Sequence, residues 1–263
     1  MKRLLMTLML LSAGTSCLAQ DVDDVAKQLS NPISSLISVP MQFNFERGAG
    51  LDGEGERLRL NVQPVIPMSI GEDWNLISRT IVPIIDQQDV FPDGSRQAGV
   101  GNTLQSLFFS PKELTPSGWT WGIGPAFLLP TASDERLGSD RWAIGPTVVA
   151  LRQTRDGWTY GGLANHLVSV GGGDDRDINA TYLQPFVAKR ISPGRTVSMS
   201  LEASYDWESQ DWTAPLHLGI SQVIPARRQM FSIQGGVFRY LESTPGAADW
   251  GLRFTLTLLY PKR

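Results

Sequence analysis

The chain has 263 residues, a formal net charge of -3 and 41% hydrophobic residues: enough apolar material for one large domain, and no basic excess for a nucleic-acid partner. A single cysteine excludes a disulfide framework, and two histidines exclude a histidine-rich metal centre. No cofactor-binding motif occurs, so neither a cofactor nor a metal is expected.

The first predicted element is an export signal. Lys2 and Arg3 precede a largely apolar run from Leu4 to Leu11, and Cys17-Leu-Ala19 offers small residues for cleavage before Gln20. The run is too short to cross a bilayer as a helix, which takes about 20 apolar residues. A lipid-anchor reading of Cys17 fits less well, because Gly14 stands where leucine is usual. Cleavage would remove residues 1–19, and with them the only cysteine.

Residues 20–38 form the second unit. Val25, Leu29, Ile33, Leu36 and Ile37 recur at near-helical spacing, interrupted by Pro32. Two placements stay open: a periplasmic tail, or a short helix tucked into a barrel as a plug.

From residue 39 to 263 no linker divides the chain. Glycine, proline and acidic clusters punctuate it, and between them lie twelve segments, most close to the 9–11 residues that a tilted strand needs to cross a bilayer. Pro40–Glu46 alternates Met41, Phe43 and Phe45 with Gln42, Asn44 and Glu46. Arg57–Gln63 sets Leu58, Leu60 and Val62 against Arg57, Arg59, Asn61 and Gln63. Trp74–Ile85 alternates poorly, and Val100–Phe109 follows it. Then come Trp119–Leu129, Trp142–Leu151, Trp158–Val170, Thr181–Lys189, Val197–Trp207, Trp212–Val223 and Phe231–Leu241. In the last, Trp250–Tyr260, Leu252, Phe254, Leu256, Leu258 and Tyr260 share one face and Arg253, Thr255 and Thr257 the other. An even count of such strands, ending on an interfacial aromatic, predicts a single all-β transmembrane antiparallel barrel of about 12 strands.

Tryptophan and tyrosine gather at segment ends, where an aromatic girdle would meet the bilayer interface. Long, largely acidic connections such as Asp86–Ala98 and Thr131–Arg141 alternate with shorter ones such as Thr154–Gly157 and Ser192–Arg195. Long loops outside and short turns on the periplasmic side is the barrel arrangement. The short connection Glu208–Asp211 on the outer side is an exception and lowers the rim there.

The polar faces would line the lumen. Glu46, Arg57, Arg59, Arg79, Glu202, Asp206, His217 and Arg253 are the candidate lining residues. They would either pair and neutralise one another or form a charged constriction that selects solutes, and register decides which groups meet. Enzymatic signals are thin. No Gly-x-Ser-x-Gly elbow occurs, and Thr213 and Ser221, on the face of His217, lie about 13 Å away along the strand. His166 beside Asn165 would face lipid, which calls for an explanation. Asp174-Asp-Arg-Asp177 lacks calcium-loop spacing and reads as a solvated loop, and Gly161-Gly162 and Gly235-Gly236 read as bends or close packing.

Asn31-Pro-Ile-Ser-Ser-Leu-Ile-Ser-Val-Pro-Met-Gln-Phe-Asn-Phe45, Leu104-Gln-Ser-Leu-Phe-Phe-Ser-Pro111, Gly145-Pro-Thr-Val-Val-Ala-Leu151, Tyr182-Leu-Gln-Pro-Phe186, Tyr205-Asp-Trp207 and Trp250-Gly-Leu-Arg-Phe254 carry a resemblance. In them the chain resembles a Gram-negative outer-membrane transporter family, grouped with proteins of the meta-cleavage pathway of phenol degradation and sometimes mislabelled neuromedin U. The resemblance spans essentially the whole mature chain and implies an outer-membrane barrel. It carries over no catalytic residue and no substrate.

The expected protein is a non-enzymatic, passive channel or uptake barrel for small organic molecules, aromatic or apolar ones included, in the outer membrane of a Gram-negative bacterium. Its expected partners are outer-membrane lipid, lipopolysaccharide and a small-molecule solute, and its oligomeric state is left open. A lipid hydrolase and a non-conducting structural or adhesive barrel are the alternatives.

Overall fold

The computed structural model describes residues 22–173, 177–226, 229–244 and 246–260. The export signal, Cys17 and most of the Asp174–Asp177 cluster lie outside them. Sixteen strand segments run in chain order: β1 (Ile37–Ala49), β2 (Gly55–Val62), β3 (Val65–Ile70), β4 (Trp74–Gln88), β5 (Gln97–Val100), β6 (Thr103–Pro111), β7 (Trp119–Leu129) and β8 (Arg141–Gln153). They continue with β9 (Trp158–Gly172), β10 (Asn179–Ser192), β11 (Arg195–Leu201), β12 (Ala203–Asp206), β13 (Asp211–Thr213), β14 (Pro215–Pro225), β15 (Met230–Tyr240) and β16 (Trp250–Tyr260). Four pairs, β2/β3, β5/β6, β11/β12 and β13/β14, are interrupted halves of single staves, so the wall has twelve antiparallel staves. It is closed by a ladder from Ile37↔Tyr260 to Arg47↔Trp250. Closure leaves no unpaired edge, the condition for β-structure to cross a bilayer.

Proline accounts for the interruptions. It has no N–H to give a ladder. Pro64 separates β2 from β3, and Pro83 faces the β5/β6 junction, where its carbonyl accepts from Gly101 N at 2.9 Å. Pro215 faces Glu202 between β11 and β12, its carbonyl accepting from Glu202 N at 3.0 Å. The second stave therefore continues to Ile70, and the fourth begins at Gln97, ahead of the Val100 expected from sequence. The first strand likewise starts at Ile37, three residues ahead of Pro40.

Large apolar side chains cover the outer surface. Phe43 and Phe254, directly opposed in register, meet outside with ring centroids 6.3 Å apart, and Ile123, Val148, Leu183, Met199, Leu218 and Val237 are exposed around the wall. All eight tryptophans sit in two belts at the stave ends. Trp142, Trp207, Trp212 and Trp250 ring the end with the longer loops; Trp74, Trp119, Trp121 and Trp158 ring the end with the short turns. Edge-to-face contacts brace the belt at the short-turn end, Trp74 on Trp121 at 6.0 Å and Trp119 on Tyr160 at 5.9 Å. An apolar band between aromatic girdles is what a bilayer demands of a barrel.

The sequence alternates poorly at β4 because the lumen is itself apolar there. Ile77 is buried inside, as are Phe108 on β6 and Val149 and Leu151 on β8, so both faces of those staves need hydrophobic residues. Gly122 on β7 makes room for them. A Cβ there would lie 3.3 Å from Phe108 Cβ and 3.4 Å from Ile33 Cδ1.

A helix over residues 22–29 lies inside the mouth at the short-turn end. Val22 and Ala26 pack on Val223 and Met230 of β14 and β15. Gly194 N donates to Asp23 Oδ1 at 2.9 Å, Arg190 Nε lies 3.4 Å from Asp23 Oδ2, and Gln153 Nε2 donates to Lys27 O at 2.7 Å. Asn31 ends the helix before Pro32, which disfavours helical backbone in the residue ahead of it. The Asn31 Oδ1 then accepts from Ile33 N at 2.9 Å, a turn that aims Ile33 into the bore. There Ile33, only 5% exposed, packs with Val65, Ile77, Phe108, Val149 and Leu151. Residues 22–33 thus cross the bore from the β8–β15 arc to the β3–β8 arc.

Candidate channel lumen

Register builds the charged wall. Glu46 on β1 stands opposite Arg57 on β2, with Arg59 two residues along the same face. Fully buried, Glu46 accepts from Arg59 Nη2 at 2.6 Å and from Arg57 Nη1 at 3.4 Å, while Arg57 Nε donates to Gln87 at 2.8 Å. Asn44, also fully buried, stands opposite Arg253 of β16 and accepts from its Nε at 2.7 Å. Arg253 then reaches Glu202 with two parallel bonds, Nη1 to Oε1 at 2.6 Å and Nη2 to Oε2 at 3.1 Å. Strands β14 and β15 separate these two residues along the wall, so the pair is a strut through the interior. Glu202 faces inward by ordinary alternation, because the register runs unchanged from Ser200 to Ser204 across the interruption opposite Pro215. His217 Nε2 lies 3.3 Å from Glu202 Oε2, and its ring stacks at 4.7 Å on Phe238.

Arg79 differs. Its Nη2 donates to Gln63 Oε1 at 3.1 Å, and the Gln63 amide meets that of Gln42 at 2.9 Å. No carboxylate lies within ion-pairing distance of Arg79 among the described residues. Seven of the eight candidate residues therefore face one interior network: Glu46, Arg57, Arg59, Arg79, Glu202, His217 and Arg253. Asp206 stands apart. At the rim its Oδ1 accepts from Glu208 N at 2.8 Å and Ser209 N at 3.3 Å, capping the short connection after β12. The amides Gln42, Asn44 and Gln63 were not singled out from sequence, although Gln42 and Asn44 share the face of Glu46.

A cavity of about 300 Å³ opens beside Arg79, where Leu104 of the neighbouring stave, Leu128 and Leu163 form an apolar surface amid polar groups that include Gln63, Tyr182 and Glu202. Leu104, Leu128 and Leu167 join a second cluster toward the long loops, where Ile178 packs in. Below the cavity lies the Ile33 cluster, with Tyr182 and Phe186 against it.

At the long-loop end, residues 130–140 fold back over the wall. Leu137 is buried near Gly99 and Gly101, and Asn102 Nδ2 donates to Ser139 O at 2.9 Å. Arg136 Nη1 reaches Asp93 Oδ2 at 2.9 Å and so links two loops. The Ser95 hydroxyl and amide, together with Arg136, hold the Asp93 carboxyl well below the usual range, at about 2. Between these loops opens a pocket of about 870 Å³ lined by Phe91, Ser133 and Asp140.

His166 faces outward on β9. Its Nδ1 lies 2.9 Å from Thr181 Oγ1 of β10, which also accepts from Trp207 Nε1 at 2.9 Å. The outward neighbours of His166 on its own strand, Ala164 and Val168, carry no hydroxyl.

A closed twelve-stave wall with a lipid-fitting exterior and an occluded, polar-lined interior defines a transmembrane β-barrel of the outer-membrane type. Solved structures agree with this architecture. An outer membrane channel from Pseudomonas putida F1 is 11% identical, covers 86% of this chain and 96% of its own, and superposes with a TM-score of 0.69. The NanC porin is 8% identical with 85% and 100% covered and a TM-score of 0.53. Outer membrane phospholipase A from Escherichia coli is 12% identical with 85% and 90% covered and a TM-score of 0.51. No protein-family model and no curated protein matches the sequence.

Proposed function

We propose that this protein is an outer-membrane uptake barrel that passes small organic molecules down a gradient and is closed at rest by residues 22–36 at its periplasmic mouth. The observation that carries the reading is a cavity of mixed lining, where Arg79, Gln63 and Glu202 meet Leu104, Leu128 and Leu163, with the Ile33 cluster below it. A water-filled pore for ions would not need a leucine wall. The channel and porin among the similar folds, and the sequence motifs shared with a transporter family tied to aromatic degradation, support the same direction. Burying an isoleucine is worth only about 2 kcal/mol, so a seal built on Ile33 and a short helix can open without unfolding the barrel. Deleting residues 22–36 is expected to raise planar-bilayer conductance severalfold over the full mature chain. Bilayers that stay silent with both proteins would overturn the channel reading.

The His166–Thr181 pair favours a second reading, a lipid hydrolase, because a hydroxyl within hydrogen-bond reach of an imidazole is the minimum for an activated nucleophile. Phospholipid hydrolysis lost in both His166→Ala and Thr181→Val would establish it. Without turnover, the pair serves to satisfy polar groups facing lipid and to anchor Trp207.

A further inference from the structure

We infer that the lumen cavity is a binding site for an organic carboxylate, with Arg79 as the group that holds the acid and the leucine wall as the surface that takes the carbon skeleton. The inference rests on the uptake reading above and names its substrate class. Two kinds of observation carry it.

The first is charge. Four guanidinium groups face the interior network, those of Arg57, Arg59, Arg79 and Arg253, against the two carboxylates of Glu46 and Glu202. Glu46 is used up by Arg57 and Arg59, and Glu202 by Arg253 and His217. Arg79 is left with one neutral amide acceptor, Gln63 Oε1, in a cavity where bulk water is limited. A guanidinium offers five N–H donors in a fork suited to a carboxylate, and one bond to Gln63 leaves most of them for a ligand. The excess of positive charge draws anions into the bore and opposes cations.

The second is shape. The same cavity is lined by Ile81, Leu104, Leu128, Leu163 and Leu167 among polar groups that include Glu202, whose carboxylate Arg253 and His217 already engage, and with about 300 Å³ it is at the lower end of small-molecule sites. A monocyclic aromatic acid or a short-chain fatty acid fits that volume. A bare inorganic anion would leave the leucines unused, and a neutral hydrocarbon would leave Arg79 without a counter-charge.

Benzoate, benzyl alcohol and benzylamine share a ring and differ in charge, so they separate this inference from the channel reading. Equilibrium binding to the detergent-solubilised protein is expected to follow the order benzoate, benzyl alcohol, benzylamine. Arg79→Gln is expected to weaken benzoate binding at least about tenfold, the loss of a charged hydrogen-bond partner, and to leave benzyl alcohol unchanged. Arg79→Lys, which keeps the charge without the fork, should recover part of it. Unheated gel mobility verifies that each variant folds. Equal binding of benzoate and benzylamine by the wild-type protein, or benzoate binding indifferent to Arg79→Gln, would overturn the carboxylate site even if all three solutes cross liposomes. Liposomes impermeable to all three, alongside benzoate binding that depends on Arg79, would instead remove the channel reading and keep the site.

Discussion

Glu46 is the most committed single side chain in the wall. It is fully buried, and both its oxygens are engaged by arginines. Removing the charge from one side of a buried pair leaves the other uncompensated, which costs more than the pair ever contributed. Glu46→Gln would leave Arg57 and Arg59 facing each other, and a loss of about 3 kcal/mol is expected. Urea unfolding in detergent micelles measures it. The double variant Glu46→Gln with Arg59→Gln should recover part of that loss, because only one guanidinium then remains. At this scale the sequence is a good guide to residue type and a poor one to partnership. Most of the candidate residues could be picked from alternation, since a charge opposite a lipid-facing apolar row must point inward, whereas Asp206 at the end of its strand caps a rim turn instead. That Glu202 would meet Arg253, and that Arg79 would meet no acid, depends on register across four staves, which no local pattern encodes.

Among the elements, the helix of residues 22–29 and the turn that receives it form one unit. Gly194 adopts φ +68, a region that favours glycine, and a Cβ there would collide with Val22 Cγ1. Its amide also holds Asp23. Gly194→Val therefore should expel the helix while leaving the twelve staves paired, giving bilayer conductance close to that of the chain lacking residues 22–36. Conductance no higher than wild type would show that Gly194 is not what holds the helix in the mouth. The near-helical spacing of Val25, Leu29 and Ile33 and the break at Pro32 were visible in the sequence. Their destination was not, because a short apolar helix reads alike whether it covers a tail or fills a bore. The strands show the same limit. Alternation was clear in β1, β2, β11 and β16, where lumen and lipid differ in polarity, and blurred in β4, where Ile77 and its neighbours make both surfaces apolar.

The molecule as a whole is organised around an inversion: greasy outside, polar within, closed on itself. Phe254 lies at mid-height on the outer face of the closing strand and is 48% exposed. If hydrocarbon touches it, Phe254→Arg costs about 2–4 kcal/mol in lipid vesicles. An effect of that size should appear as a lower denaturant midpoint for vesicle-inserted protein, and an unchanged midpoint would mean that this face does not meet lipid. Barrel closure was legible from the even number of amphipathic segments and the aromatic girdles, because membrane solvation imposes both on the chain everywhere at once.

The Arg253–Glu202 strut has a geometrical corollary. A beam fixed between walls three staves apart cuts across the passage as a chord and divides it into two unequal lanes, so that any solute passing through would have to skirt it. The roomier lane runs past the leucines, so if the uptake reading holds, a solute would be steered along the greasiest side by a bond between two of the most polar groups.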